Sequence, residues 1–308
     1  MSEITAQTDR LGLIKRGIFQ NPITLKELRS RMRGRRAFVI LSLYLLAVST
    51  IIFFIYLVFA LDSSTAASAG QLAGQAIFMT MVGIQMFLVV FVAPAFTSGA
   101  ITGEKERQTF ELLRTTLMSP RRFVLGKTIS ALGYIILLIF STIPLIFLAF
   151  MIGGVSWVEI LISQCMLIAG AFTYSLLGLY FSSRAKTTLA ATVTTYIVTI
   201  ALLIGLPLLV LLGSLILAPV FSVLTTTPNW LEAIGVYLGI MGLFTNLPGS
   251  MIYSELLLMT ENSVWGYWTT GSFSYFLPSA WYGTLIFHLL MARVLFRWSV
   301  YRVAKIAE

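Results

Sequence analysis

The sequence predicts an all-α integral membrane protein with six transmembrane helices, and three observations carry that prediction. Of its 308 residues, 58% are hydrophobic and only 11% are charged. An average soluble domain is about a quarter charged, so this chain cannot cover itself with a wetted surface. Its 21 Lys and Arg fall in four clusters, at residues 10–36, 105–127, 184–186 and 293–305. Between the clusters lie apolar runs at least as long as the ~20 residues that cross a bilayer.

The clustering sets the topology. Cytoplasmic flanks collect Lys and Arg, so each of the three intervals must leave the cytoplasm and return. Six crossings result, with both termini cytoplasmic, as expected for a multi-pass protein of the plasma membrane. A net charge of +9 on a soluble surface would suggest nucleic acid; here it is distributed as orientation charge, and no nucleic-acid partner is expected. Asp62, Glu159, Glu232, Glu255 and Glu261 fall on the expected outer side. The single cysteine, Cys165, excludes an internal disulfide framework and a cysteine metal cluster. It lies in an apolar run and is expected to be packed there.

Residues 1–36 form the cytoplasmic lead and residues 37–308 the six-span domain. Asn21-Pro22 reads as a helix start, a cap residue followed by proline at the first helical position. After it, Lys26, Arg29, Arg31, Arg33, Arg35 and Arg36 alternate with Leu25, Leu28 and Met32. This is a basic amphipathic elbow helix suited to lying on anionic inner-leaflet lipids.

Span one is expected at residues 38–61. Span two follows at 75–100, with Gln85 near its middle and Pro94 bending it. Span three covers 124–152 and contains Pro144. Gly153-Gly154-Val155-Ser156 is the only turn before span four at 157–182, so spans three and four form a tight hairpin. Residues 183–186 make an equally short inner turn. Span five starts near Thr188 and stays apolar to about residue 224. Gly205-Leu206-Pro207 interrupts it, giving one long kinked helix.

The outer segment 225–276 is apolar yet broken by Pro228 and by Asn246-Leu247-Pro248-Gly249. Helical patterns at 231–244 and 250–259 are short for spanning. They fit a re-entrant hairpin in which Gly235, Gly239 and Gly242 permit close packing. Two further full spans are the competing reading; they would place an uncharged turn on the basic side. Trp265, Tyr267 and Trp268 suit the outer interfacial belt. Span six is expected at 277–296, followed by a short basic tail.

No span carries Lys, Arg, Asp or Glu near its centre, where ion-coupled carriers place groups that pair and titrate. His288, inside span six, is expected to pack or to make a local hydrogen bond. Gln85 and Gln164 are the candidate polar linings of a translocation path; each could equally tie helices together. There is no nucleophile–base pair and no metal constellation, so no catalytic residue is assigned and the chain is not expected to be an enzyme. Gly126-Lys127-Thr128 copies the end of a phosphate-binding loop, but Arg121 stands where that motif needs glycine. Lys127 is expected to snorkel to the interface instead.

That leaves the charged loop at residues 101–123. As a helix over residues 103–117 it sets Glu104, Glu106 and Glu111 among Lys105, Arg107 and Arg114. Phe110, Leu113 and Leu117 make one apolar stripe. Thr102 is the expected cap, and Ser119-Pro120 ends the helix. Such a helix can present a mixed-charge face to a soluble partner; a solvated loop of orientation charges is the bland alternative.

Glu104-Lys105-Glu106-Arg107, Thr109, Glu111-Leu112-Leu113, Thr115-Thr116, Ser119-Pro120 and Gly126-Lys127 together resemble the loop after the second span of type-2 ABC exporter permeases. The likeness is dense over about 25 residues. Elsewhere only the layout agrees. Gln108 stands where that family usually has glycine, and Leu117 where a proline often follows the threonine. The resemblance implies a permease that pairs with an identical copy or a paralogue and draws energy from separate cytoplasmic ATPase subunits. ATP and Mg would sit on those subunits and no cofactor on this chain. Glu104, Glu106, Arg107, Thr109 and Glu111 would then belong to a coupling helix, with Lys105 and Arg114 at the same interface. A hydrophobic or amphipathic cargo is the expected substrate. The competing readings are an ion-coupled carrier or channel, and a non-transporting scaffold that recruits a soluble protein.

Overall fold

The structure, a computed structural model, describes residues 35–61, 69–109, 119–205, 207–209, 212–213, 215–216, 229–261, 263–268 and 276–307. Among these, six helices are long and apolar enough to cross a membrane: Ala37–Leu61, Gly70–Glu106, Pro120–Ile152, Trp157–Arg184, Thr188–Leu209 and Ala280–Lys305. The elbow residues Lys26, Arg29, Arg31 and Arg33 lie outside the described residues. Arg35 and Arg36 lie in the first long helix, α1 (Arg35–Leu61).

Prolines shape the long helices at the expected places. The second rod begins as α2 (Ala69–Phe87), widens into a π-helical turn at Leu88–Val92, and resumes as α3 (Ala93–Ser98) with Pro94 in its first turn. A proline ring crowds the carbonyl four residues back and donates nothing to it, and the wider turn absorbs that conflict. Inside the turn, the Phe91 carbonyl accepts the Tyr196 hydroxyl at 2.7 Å.

At the start of the charged loop, α4 (Thr102–Glu106) is one short turn. The third rod is α5 (Pro120–Ser141) and α6 (Ile143–Ile152), broken at Thr142 just ahead of Pro144. The turn that follows requires glycine: Gly153 and Gly154 have φ of 107° and 82°, a region closed to most side chains. It leads to α7 (Trp157–Arg184), whose first turn is capped by Ser156, the hydroxyl accepting the Glu159 N–H.

Helix α7 is the axis of the bundle and the most buried of the six. It packs on α3, α5 and α8 (Thr188–Ile200), and most extensively on α11 (Ala280–Ala307). Gly178 lets α3 approach, because a Cβ there would collide with the Thr97 hydroxyl and the Pro94 carbonyl. The buried core includes Phe78, Met81, Ile135, Ile139, Met166, Leu167 and Tyr174. The second half of the third rod does not stay with α7. Helix α6 packs on α2 instead, so the hairpin of spans three and four opens past the Thr142 break.

Helix α8 passes into a second π-helical turn at Ala201–Gly205, again ahead of a proline, Pro207. Helices α9 (Asn229–Thr245) and α10 (Leu247–Glu261) then form a hairpin with Asn246 alone between them. Gly235 and Gly239 do not make the close packing expected of them: a Cβ at either would meet nothing within 4 Å. The close approaches of this region are elsewhere, at Gly170 against Leu247 and Gly283 against Phe244.

Two short strands were not anticipated. β1 (Gly266–Trp268) pairs antiparallel with β2 (Phe276–Pro278), Tyr267 opposite Leu277. Leu277 therefore belongs to this ribbon, and the last helix starts at Ala280. The basic tail is not separate either: α11 runs on through Arg293, Arg297, Arg302 and Lys305. Trp265 stacks near Trp281 and Tyr282, with centroids 5.4 and 6.3 Å away. Cys165 is exposed on α7 rather than packed.

Candidate functional site

Residues 101–109 sit where the ends of three other rods converge. Each anchor has a local reason. Helix α4 has no cap of its own, since Ile101 holds the cap position without a side-chain bond, and first-turn N–H groups need acceptors. Ser182 of α7 supplies one, its hydroxyl accepting from the Ile101 and Thr102 N–H groups at 2.9 and 3.0 Å. Thr102 is therefore not the cap; its hydroxyl donates back to the Ser98 carbonyl at 3.4 Å.

Three consecutive charged residues then bind three different rods. The Glu104 carboxylate pairs with Lys127 of α5 at 2.9 Å, and Thr109 donates to its other oxygen. Lys105 Nζ donates to the Ser183 and Ala185 carbonyls at the end of α7, at 2.9 and 3.4 Å. Glu106 accepts from the Thr188 N–H at 2.7 Å and from its hydroxyl at 3.1 Å. That places a carboxylate at the N-terminus of α8, where the helix dipole favours negative charge.

Lys127 does not snorkel. It is 5% exposed and held by Glu104, with its ammonium 5.8 Å from the Phe123 ring centroid. A buried ammonium needs a close counter-charge, and the carboxylate 23 residues earlier provides it.

The expected single helix over residues 103–117 is not formed. Helix α4 ends at Glu106, the Arg107 N–H closing on Gly103 at 3.2 Å. Gln108 then takes a φ of 57°, the left-handed conformation that favours glycine after a helix. This is the position where the resembled loop usually carries glycine. Arg107 and Gln108 are exposed. Glu111, Arg114 and the stripe of Phe110, Leu113 and Leu117 lie outside the described residues.

An open cleft beside the clamp is lined by Lys105, Arg184, Lys186, Arg302 and Lys305. Three of the four basic clusters thus meet at one end of the bundle.

A family model described as ABC-2 family transporter protein matches residues 22–292. The chain belongs to this family. A search of curated proteins found no match. As an ABC-2 transporter subunit, the chain is a multi-pass membrane permease, and membership of the family implies pairing with an ABC ATPase subunit.

In this ABC-2 permease the two glutamines make contacts within the bundle. Gln85 is fully buried; its amide donates to the Thr142 hydroxyl at 2.5 Å and the Ile139 carbonyl at 3.3 Å. Those acceptors lie where α5 breaks before Pro144. Gln164 of α7 donates to the Gln85 oxygen at 3.0 Å, so one polar chain joins rods two, three and four. His288 is buried and, among the described residues, without a ring hydrogen bond, its ring centroid 5.9 Å from that of Tyr174, while Thr173 donates to its carbonyl.

Sequence reasoning missed Ser182, Thr188 and Asn246. Asn246 caps α10 by accepting the Gly249 N–H at 2.8 Å and donates to the Leu203 carbonyl at 2.7 Å. Pro207, four residues beyond Leu203, has no N–H to give that carbonyl. An asparagine before Leu-Pro-Gly at the start of a helical pattern was the available signal. The hairpin tip therefore rests against the middle of the bundle, with Leu247 fully buried beside Gly170 of α7.

Proposed function

We propose that this permease is the membrane half of an exporter in which residues 101–109 carry force from the ATPase into three rods at once. The supporting observation is that Glu104, Lys105 and Glu106 bond to α5, α7 and α8 respectively. Because those three anchors are consecutive in sequence, displacement of one short turn shifts three helix ends together. Arg107 and Gln108 face outward from the clamp and, with Glu111 and Arg114, contact the ATPase. ATP and Mg are bound and hydrolysed there; this chain is not itself an enzyme.

On this reading the basic end is cytoplasmic, both termini lie inside, and the membrane is the plasma membrane. The basic lead segment, Lys26 to Arg36, engages anionic lipids of the inner leaflet. The α9–α10 hairpin enters from outside and turns back at Asn246. A second permease copy completes the path. The cargo is hydrophobic or amphipathic, since the spans offer little fixed charge to a small ion.

Co-expression with the ATPase, followed by ATP-hydrolysis and vesicle-transport assays, tests this. Arg107→Glu should reduce ATPase co-purification. Glu106→Ala should leave the complex assembled but cut ATP-driven transport. Transport that persists without ATP on an ion gradient, or a bound partner without ATPase activity, would overturn the proposal.

A further inference from the structure

Away from the clamp, a cavity of 240 Å³ opens between α2, α7 and α10. Phe78, Met166 and Met251 form apolar walls, and among the described residues the only charged groups lining it are Glu159 and Glu255. Glu255 is 7% exposed and, among the described residues, its Oε1 has no hydrogen-bond partner; the neighbouring Ser254 hydroxyl, 2% exposed, has none either. Glu159 is committed at one oxygen to the Ser156 hydroxyl at 2.8 Å. Among the described residues no Lys or Arg lines this space.

A buried carboxylate with an idle oxygen is costly, so some group that answers it is the natural occupant. The walls decide what kind. They are apolar and rich in methionine, which adapts to irregular apolar bodies, and carry one aromatic ring, Phe78, whose face can attract a cation. A hydrated metal ion would find two carboxylates and a hydroxyl but no room to avoid the apolar wall. A volume near the low end of ligand sites, which run from ~300 Å³ upward, limits the size.

We infer that this cavity binds a small lipophilic organic monocation, an aryl or alkyl ammonium, with its charge at Glu255 and its apolar body against Phe78, Met166 and Met251. The binding stands on the cavity alone. That such a cation is the cargo class rests on the permease reading above.

The test is equilibrium binding of tritiated benzyltrimethylammonium to the full chain in lipid nanodiscs, with competition by neopentylbenzene, its uncharged isostere. Saturable binding is expected, with Glu255→Gln weakening it about tenfold or more and the neutral isostere competing at least about tenfold less well. Ile252→Trp, at an exposed position on the cavity lining, should block the site without touching the carboxylate. Equal competition by neopentylbenzene, or an unchanged affinity in Glu255→Gln, would overturn the inference. Binding as expected with no effect of the cation on ATP turnover by the permease–ATPase complex would uphold the site and overturn only its assignment to the cargo.

Discussion

Glu104 and Lys127 stand 23 residues apart in sequence and 2.9 Å apart in space, joining the clamp to the third rod. Their side chains are 28% and 6% exposed, so the lysine has given up most of its water beside this carboxylate.

Removing either partner alone should therefore be damaging. Lys127→Met takes the cation from the carboxylate and Glu104→Gln takes the counter-charge from a buried ammonium; each should cost about 3 kcal/mol. Replacing both at once, as Glu104→Gln with Lys127→Met, should recover most of the loss, because no charge is then left unanswered. Thermal melts of the four proteins in one detergent check this. Additive single losses in the double variant would show that the two residues act independently.

The left-handed Gln108 leads to a second expectation. A non-glycine residue there carries a steric cost of roughly 1 kcal/mol. Gln108→Gly should hold or raise the melting temperature, the relief offset in part by greater freedom in the unfolded chain. Gln108→Val, β-branched, should lower it clearly. A lower melting temperature for glycine than for valine would mean the chain does not turn left-handed at this point.

The chain of Gln164, Gln85 and Thr142 should behave as a unit. Gln85→Leu should cost about 1 kcal/mol, typical of a hydrogen bond between membrane helices. Gln164→Leu added to it should cost less than Gln164→Leu alone, since the bond between them is already gone. If Gln85→Leu changed transport while leaving stability untouched, these residues would be lining a path instead of tying rods.

Much of this architecture was legible in one dimension because it follows from rules about single positions. Clustered Lys and Arg mark one end of a bundle, and the cleft joining Lys105, Arg184, Lys186, Arg302 and Lys305 bears that out. Gly153-Gly154 marks a turn through backbone freedom alone. Pro94, Pro144 and Pro207 mark breaks because each removes a donor. What stayed hidden were pairings. Lys127 looks like any interfacial lysine until Glu104 is brought to it. Gly235 and Gly239 say where a helix could be approached, not which face is approached. The ribbon of β1 and β2 has three residues a strand, too few to display an alternating pattern. The helix expected over 103–117 failed at Gln108, where the apolar periodicity ran on and the backbone did not.

The most discriminating prediction concerns Asn246 and Pro207. Asn246 both caps α10 and donates to the carbonyl that Pro207 leaves without an N–H. Asn246→Ala should cost about 2 kcal/mol, the cap and the buried acceptor together. Asn246→Asp keeps the capping oxygen but loses the donor, and sets a negative charge against the Leu203 carbonyl, so it should be no better. Pro207→Ala restores a backbone donor in the right register. In that background the Leu203 carbonyl has its own helical partner, and Asn246→Ala should cost only the cap, about 1 kcal/mol. A double-mutant cycle read by thermal melts measures the difference. Equal losses in the two backgrounds would separate Asn246 from the proline, and the position of the hairpin tip would need another cause.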